Sequence, residues 1–572
     1  MKMAIGDTLL ARADNTLNDI FAGWSLSTTV IAFVLFVFLA YPWLTRKDPD
    51  THPFLLARQA TASPVRNPGE SAVYRSIEVP YGYPLRSGLN VKDPGAPKWS
   101  SGRNGDLRDI WIQAVRGPLK DDGSAAGPKG KLLTVLGREK IMERSLESVT
   151  LEINIVGRYI QQIKGKHVAI CLSNSVELLA SIFACAFYGL QPLLIPYGSS
   201  TEEFTQRLRK VQPDILIAEA GTLELEPVLS SCKNLSQVVW VTKAGNKHMD
   251  FADTPDDVPG KVNISTWHDL IEENKSPASS ELPSTEKGSS SPSVSIVESS
   301  GNSFTVTEYG SENIVAATAA LINSLPRNQK IGTDDVVLPI SPLTSSYTLM
   351  LAFASLFSHA TIALNSVAGE TVDFALAASA IHPTIIVASS QSTLRYHDRM
   401  MKTQLGPLAK VSHYWQKKTL FNGNMPKTPS FAPPGQHNFL SKLRLLFVYH
   451  RAEDKNSPRL SSTALRDLKI LLGARTCYAL TTSGVAGAIA QTNMLDYRHT
   501  SEEGGSHFGP PLSCVEVLLT KDGDEGGDDQ EEMLGGGEPQ GKLVVRGPAI
   551  CGGKKKLDLV GKIGADHTLS LL

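Results

Sequence analysis

The sequence predicts an α/β protein with a mostly parallel sheet, preceded by one membrane-spanning helix. Three observations carry this expectation. Short apolar runs alternate with amphipathic stretches of helical length from Gly137 onward. An uncharged apolar run, Trp24 to Leu44, lies near the start. The composition, 41% apolar and 20% charged over 572 residues, is that of a folded chain too long for a single core.

The first 23 residues read as a short polar tail. WSLSTTVIAFVLFVFLAYPWL (24–44) is then long enough to cross about 30 Å of hydrocarbon as a helix. Trp24 marks one end and Tyr41 and Trp43 the other, where amphipathic rings favour the interface. The tail carries Asp7, Asp14 and Asp19 beside Lys2 and Arg12, and no small-residue cleavage site follows the run. The segment therefore reads as a retained anchor rather than a signal peptide. Arg46, Lys47, Arg58 and Arg66 follow it, which places the large domain on the cytosolic side. The expectation is a single-pass protein of the endoplasmic reticulum or another intracellular membrane, with membrane lipid as a partner through the anchor.

Residues 45–130 are rich in Pro, Gly and polar side chains and read as a tether with an irregular N-terminal lobe. Residues 131–500 form the α/β region. Leu146, Val149, Ile153, Val156 and Ile160 recur at helical spacing. HVAICLS is then a strand, SVELLASIFACAFYGL a helix, QPLLIPY a strand, EEFTQRLRKVQP a helix, and DILIAE and VVWVT strands. The rhythm breaks at a Ser/Pro-rich loop, Ser276 to Ser293, and resumes with DVVLPIS, HATIALN and PTIIVAS. A second irregular insert, Gln404 to Gln436, holds Lys410, Lys417, Lys418 and Lys427. It reads as a solvated loop, or as a contact with anionic lipid. Residues 501–572 form a β-rich subdomain in which VEVLL and KLVVR flank an acidic loop.

Several function classes fall away. The net charge of −1 gives no electrostatic reason to expect nucleic acid. The six cysteines include no C-x-x-C pair and read as reduced core thiols, and no His/Cys cluster has zinc spacing. Neither H-E-x-x-H nor G-x-S-x-G occurs. No metal site is expected.

From Ser145 to Phe204 the order is helix, strand ending in a small-residue turn with Asn174, Glu177 opening an apolar helix, Gly189, then a strand with Pro196. This stretch resembles the adenylate-forming superfamily, and more narrowly its long-chain acyl-CoA synthetases. The resemblance runs on loosely to Leu572. It implies the family's large N-terminal domain, in which stacked α/β subdomains carry a small β subdomain. It also implies a chemistry in which ATP and a carboxylate give an acyl-adenylate, whose acyl group passes to a thiol such as CoA. That chemistry requires cradled phosphates, a Mg²⁺ ligand and a grip on ribose.

Each of these parts is altered. The family's phosphate loop is Ser/Thr/Gly-rich and ends in P-K-G. Here VESSGNSFTVTEYGSENIVAA keeps Ser300, Gly301 and the helix-opening Asn313, and no Lys occurs between Lys287 and Lys330. The Pro-Leu-x-His stretch keeps Pro342 and Leu343 without the His. The G-A-P turn keeps Ala452 alone. The Y-G-x-T-E motif keeps Tyr478 and Thr481, with Ala479 for Gly and Thr482 for the Mg²⁺-binding Glu. Gly509, Pro511 and Glu516, and then Leu543, Val545, Arg546, Gly547 and Pro548, match the family's β-subdomain strands. The ribose-holding Asp is Lys562, a cation with no acceptor. Members of the family continue past the position of Leu572 into a small mobile domain that supplies the adenylation lysine.

The resemblance therefore implies a degenerate nucleotide site at Ser300, Gly301, Tyr478, Thr481, Thr482 and Lys562, with no catalytic residue and no cofactor. The expected function is a membrane-anchored pseudoenzyme serving as a binding or scaffold module. The alternative is an active long-chain fatty acid–CoA ligase using ATP and Mg²⁺. Fatty acid or acyl-CoA is a candidate ligand, because the apolar segments Leu349 to Phe357 and Ile362 to Leu364 are intact; the other reading of those segments is plain core.

Overall fold

The structure is a computed structural model that describes residues 22–23, 25–44, 48–93, 95–97, 99–120, 124–136, 140–242, 262–275, 279–283, 290–300, 303–403, 407–426, 440–499, 505–521 and 538–572. It divides into two compact units, Met1–Asp50 and Thr51–Leu572.

Among the described residues of the first unit is the helix Leu26–Leu44. Ser25 caps it, its hydroxyl accepting from the Thr28 amide at 3.3 Å, so the helix starts after Trp24. Leu26, Phe33, Phe36 and Leu39 are exposed. Among the described residues no helix is long and apolar enough to cross a membrane, so the expected spanning helix is not supported by the fold. Trp24 and the side chains of Tyr41 and Trp43, which marked its ends, lie outside the described residues.

The described residues of the second unit form three sheets. In a seven-stranded sheet, His167–Cys171, Gln191–Leu194, Ile215–Glu219, Gln237–Val241 and Asn263–Thr266 run parallel, and the hairpin Val294–Ser300 with Ser303–Tyr309 closes one edge. In an eight-stranded sheet, Leu132–Leu136, Thr361–Asn365, Val336–Pro339, Ile385–Ser389, Leu445–Arg451 and Arg475–Thr481 run parallel. The third sheet has six strands paired antiparallel. The α/β expectation is met, and its reason is visible in the strands. Ile215–Glu219 and Ile385–Ser389 are buried at every position, as parallel strands covered on both faces must be.

Helices fill the space between the two parallel sheets. Leu146–Gln162 starts at Ser145, whose hydroxyl accepts from the Ser148 amide, and buries Val149, Ile153, Val156 and Ile160. Val176–Tyr188 ends at Gly189, whose φ of 70° is the left-handed turn that stops a helix. Ser346–Phe357 is almost wholly buried.

Two motif residues act as ties. The Asn174 amide donates to the carbonyls of Pro339 (3.2 Å) and Ser341 (2.9 Å), and its oxygen accepts from the Leu343 amide (2.8 Å). It thus joins the turn of one parallel sheet to the turn of the other. Asn313 caps its own helix through the Gly310 amide and donates to the carbonyls of Pro548 and Ile550, tying that helix to the antiparallel sheet.

The antiparallel sheet runs in the order Ala60–Ala62, Tyr74–Ser76, Glu516–Thr520, Gln540–Arg546, Lys554–Ile563, Leu569–Leu571. Residues read as tether and lobe therefore supply two of its strands. Arg75 holds Glu516 at 2.6 Å across that seam. Gly547 has a φ of 137°, and a Cβ there would lie 2.3 Å from the Cys514 carbonyl oxygen. The insert expected to be irregular contains a helix, Pro407–Phe421. Lys427 and the acidic residues 522–537 lie outside the described residues.

Candidate functional site

A cavity of about 410 Å³ opens between the two parallel sheets, within the size range of small-molecule sites. Its walls are the turns that follow parallel strands. Ser173 and Asn174 follow His167–Cys171, and Pro196 and Tyr197 follow Gln191–Leu194. Thr344 to Tyr347 come after Val336–Pro339, Gly369 and Glu370 after Thr361–Asn365, and Asp454 to Asn456 after Leu445–Arg451. Thr481 to Ser483 close the end of Arg475–Thr481. Open α/β sheets place ligands at this position, outside the carboxyl ends of their strands.

Polar and apolar surface share the lining about equally, and its charged side chains nearly cancel. Glu298, Glu370 and Asp454 face Arg451 and Lys455. Burial pushes the Glu298 carboxyl up against the opposing pull of Arg451, and does the same to Glu370. Glu298 accepts hydrogen bonds from Thr307 (3.0 Å) and Tyr309 (3.3 Å), and Glu370 accepts from Tyr449. Burial pulls the Arg451 guanidinium down, but Glu370, Tyr449, Glu298 and Asp454 raise it beyond its ordinary value. The cation at the cleft is thus already balanced by the protein's own carboxylates.

Glu453 sits behind Thr482 and Ser483. It accepts from the Thr482 hydroxyl (2.5 Å), the Ser483 hydroxyl (2.7 Å) and the Ser483 amide (3.0 Å). Burial pushes its carboxyl up, but these bonds and Lys555 bring it below the usual range. Lys555 in turn donates to the Ser483 carbonyl at 2.6 Å. A carboxylate therefore stands beside Thr482, the residue expected in place of a metal-binding Glu, and three hydrogen bonds from the chain hold it. Among the described residues no group of His, Cys, Asp and Glu is arranged to hold a metal ion.

The structure brings together only part of the expected site. Thr481 and Thr482 line the cavity. Ser300 ends the strand that carries Glu298, but its side chain and Gly301 lie outside the described residues. Ser300 pairs with Ser303, so the stretch matched to the phosphate loop is a hairpin of two strands. Tyr478 is not in the lining. It is fully buried, its hydroxyl accepting from the Leu460 amide (3.0 Å) and its ring against Phe508. Tyr478 and Thr481 are an odd number of residues apart on one strand, so they point to opposite faces. Lys562 is not in the lining either; it pairs with Glu538 at 2.6 Å on the antiparallel sheet. Leu349 to Phe357 and Ile362 to Leu364 pack in the core, and none lines the cavity. They are the plain core that was the other reading of those segments.

Sequence reasoning missed Glu298, Glu370, Arg451 and Glu453. A signal for two of them was present: single charges at the ends of apolar strands, Glu298 after VSIV and Arg451 after LLFVYH.

Residues 148–285 match the family described as AMP-binding enzyme. The match takes in the five parallel strands from His167–Cys171 to Asn263–Thr266, and over that stretch this chain is similar to that family. Its relatives include the uncharacterized Saccharomyces cerevisiae protein YHR045W, 23% identical over 571 residues, 92% of this chain and 91% of its own. Among solved structures, the anthranilate CoA ligase AuaEII in complex with anthranoyl-AMP is similar at a TM-score of 0.57 and 13% identity, covering 82% of this chain and 76% of that one. A long-chain-fatty-acid-CoA ligase, FadD1 from Archaeoglobus fulgidus, is similar at a TM-score of 0.56 and 13% identity, covering 85% and 86%. At that identity the likeness to the solved structures speaks for the fold alone.

Proposed function

We propose that this chain is a membrane-held relative of the acyl-CoA ligases that keeps their cleft without their nucleotide chemistry, and serves as a binding or scaffold module. The observation that carries the reading is the charge of the cleft. A magnesium nucleotide needs a surplus of positive charge and free backbone donors. Here Arg451 and Lys455 are outnumbered by Glu298, Glu370 and Asp454. The position that would hold the metal is a threonine already bonded to Glu453. A neutral hydroxyl is a far weaker Mg²⁺ ligand than a carboxylate.

The anchor is the helix Leu26–Leu44, whose exposed side chains Leu26, Phe33, Phe36 and Leu39 have the character of a lipid-facing surface. Two measurements test the two halves separately. The purified full chain, given ATP, Mg²⁺, CoA and long-chain acids, is expected to yield neither thioester nor AMP; formation at enzymic rates overturns the pseudoenzyme reading and restores the ligase. Alkaline carbonate washing of membranes from expressing cells is expected to leave the chain in the pellet. Its release would remove the anchor and leave the cleft argument intact.

A further inference from the structure

We propose that the outer face of helix Pro407–Phe421 is a docking surface for an anionic phospholipid bilayer. The helix has two unlike sides. On its inner side His413 reaches Asp467 at 3.0 Å and Lys417 reaches it at 2.8 Å. Leu420 packs with Ile470 and Tyr497. Asp467 is 3% exposed; burial pushes its carboxyl up, but hydrogen bonds from His397, His413 and Lys417 hold it well below the carboxylate range. The helix is thereby pinned in one orientation.

That pinning turns Val411, Tyr414, Trp415 and Phe421 outward, at exposures of 57%, 67%, 49% and 80%. Positions 411, 414, 415, 418 and 421 share one face of a helix. Native folds rarely turn such a cluster to water without a use for it. Lys410 and Lys418 are exposed beside these side chains, and the Lys418 ammonium lies 5.4 Å from the Trp415 ring centre. The helix has no acidic residue in PLAKVSHYWQKKTLF.

The occupant follows from this chemistry. The face is a convex helical ridge that pairs Tyr and Trp rings with lysines and carries no carboxylate. Aromatic rings and aliphatic side chains enter the headgroup boundary of a bilayer, while lysines meet anionic headgroups. The contact is independent of the anchor proposed above and lies in the other compact unit.

The test is hydrogen exchange on the full chain in vesicles of phosphatidylcholine alone or of phosphatidylcholine with phosphatidylserine. Amides of 407–421 are expected to exchange about tenfold more slowly on the anionic vesicles than on the neutral ones. The Lys410→Glu/Lys418→Glu variant is expected to lose this difference while the helix Ser462–Leu472 keeps its protection, which shows an intact fold. Equal exchange on the two vesicle types overturns the proposal. So does slowing that appears without vesicles as protein concentration rises, because a second copy of the chain would then cover the face.

Discussion

Placing a carboxylate at position 482 should damage this protein rather than equip it to hold a metal. The Thr482 hydroxyl lies 2.5 Å from Glu453 Oε1, and Ser483 gives the same carboxylate two more bonds. Thr482→Glu replaces a donor with a second anion. Two unit charges about 4 Å apart cost about 4 kcal/mol at an effective dielectric near 20. The lost bond to a charged acceptor adds about 1.5–3 kcal/mol. Proton uptake by one of the paired acids relieves part of this, so a net loss of about 3 kcal/mol is expected. The assay is denaturant unfolding at pH 7.5 of the parent, Thr482→Glu, Glu453→Gln and the double variant. The double variant should be more stable than the sum of the single effects predicts, because removing Glu453 removes the repulsion. Magnesium nucleotide should not stabilise Thr482→Glu. If that variant is as stable as the parent and gains Mg²⁺-dependent protection by ATP, the reasoning about this corner of the cleft is refuted.

Three further outcomes are expected. Burial, with Arg459 adding to it, lowers His450 to about 4 from its ordinary 6.5. Its unfolded form binds the extra proton first, so its contribution, up to about 3 kcal/mol, is complete above pH 6.5 and is lost as pH falls toward 4. His450→Gln should flatten the fall in thermal midpoint between pH 7 and 4.5, and an unchanged slope would remove the assignment. Asn174→Ala strands one amide and two carbonyls between the parallel sheets and should cost about 2–4 kcal/mol in denaturant unfolding; a loss below about 1 kcal/mol would deny it the role of a tie. Gly547→Ala forces a Cβ to 2.3 Å from the Cys514 oxygen at a φ of 137° and should cost about 2 kcal/mol or more. Hydrogen exchange should show the loss first in the strands Glu516–Thr520 and Gln540–Arg546.

The parallel sheets were legible because fully buried strands such as DILIAE and PTIIVAS leave no polar alternation to confuse them. Asn174, Asn313 and Gly547 were legible as fold markers, and the structure gives each a mechanical reason. The site was legible only where it follows a strand end locally, at Thr481 and Thr482. Glu298, Glu370 and Arg451 meet through strand order, which a single sequence does not state. Tyr478 persisted in a motif while its hydroxyl serves the Leu460 amide. The apolar stretch Leu349 to Phe357 could be pocket or core on composition alone, since both require the same side chains. The helix Pro407–Phe421 escaped because its inner contacts are polar, His413 and Lys417 on Asp467, and so do not mark an apolar stripe.

The central claim is that the cleft's cations are already balanced by its own carboxylates, leaving no positive surplus for a polyphosphate. Isothermal titration of the detergent-solubilised full chain with ATP in excess Mg²⁺ tests it most directly. The account predicts no saturable heat up to millimolar nucleotide, and none in Glu298→Gln, a change that removes one carboxylate and leaves the Thr482 corner closed. A one-to-one isotherm with micromolar affinity in the parent chain would contradict it.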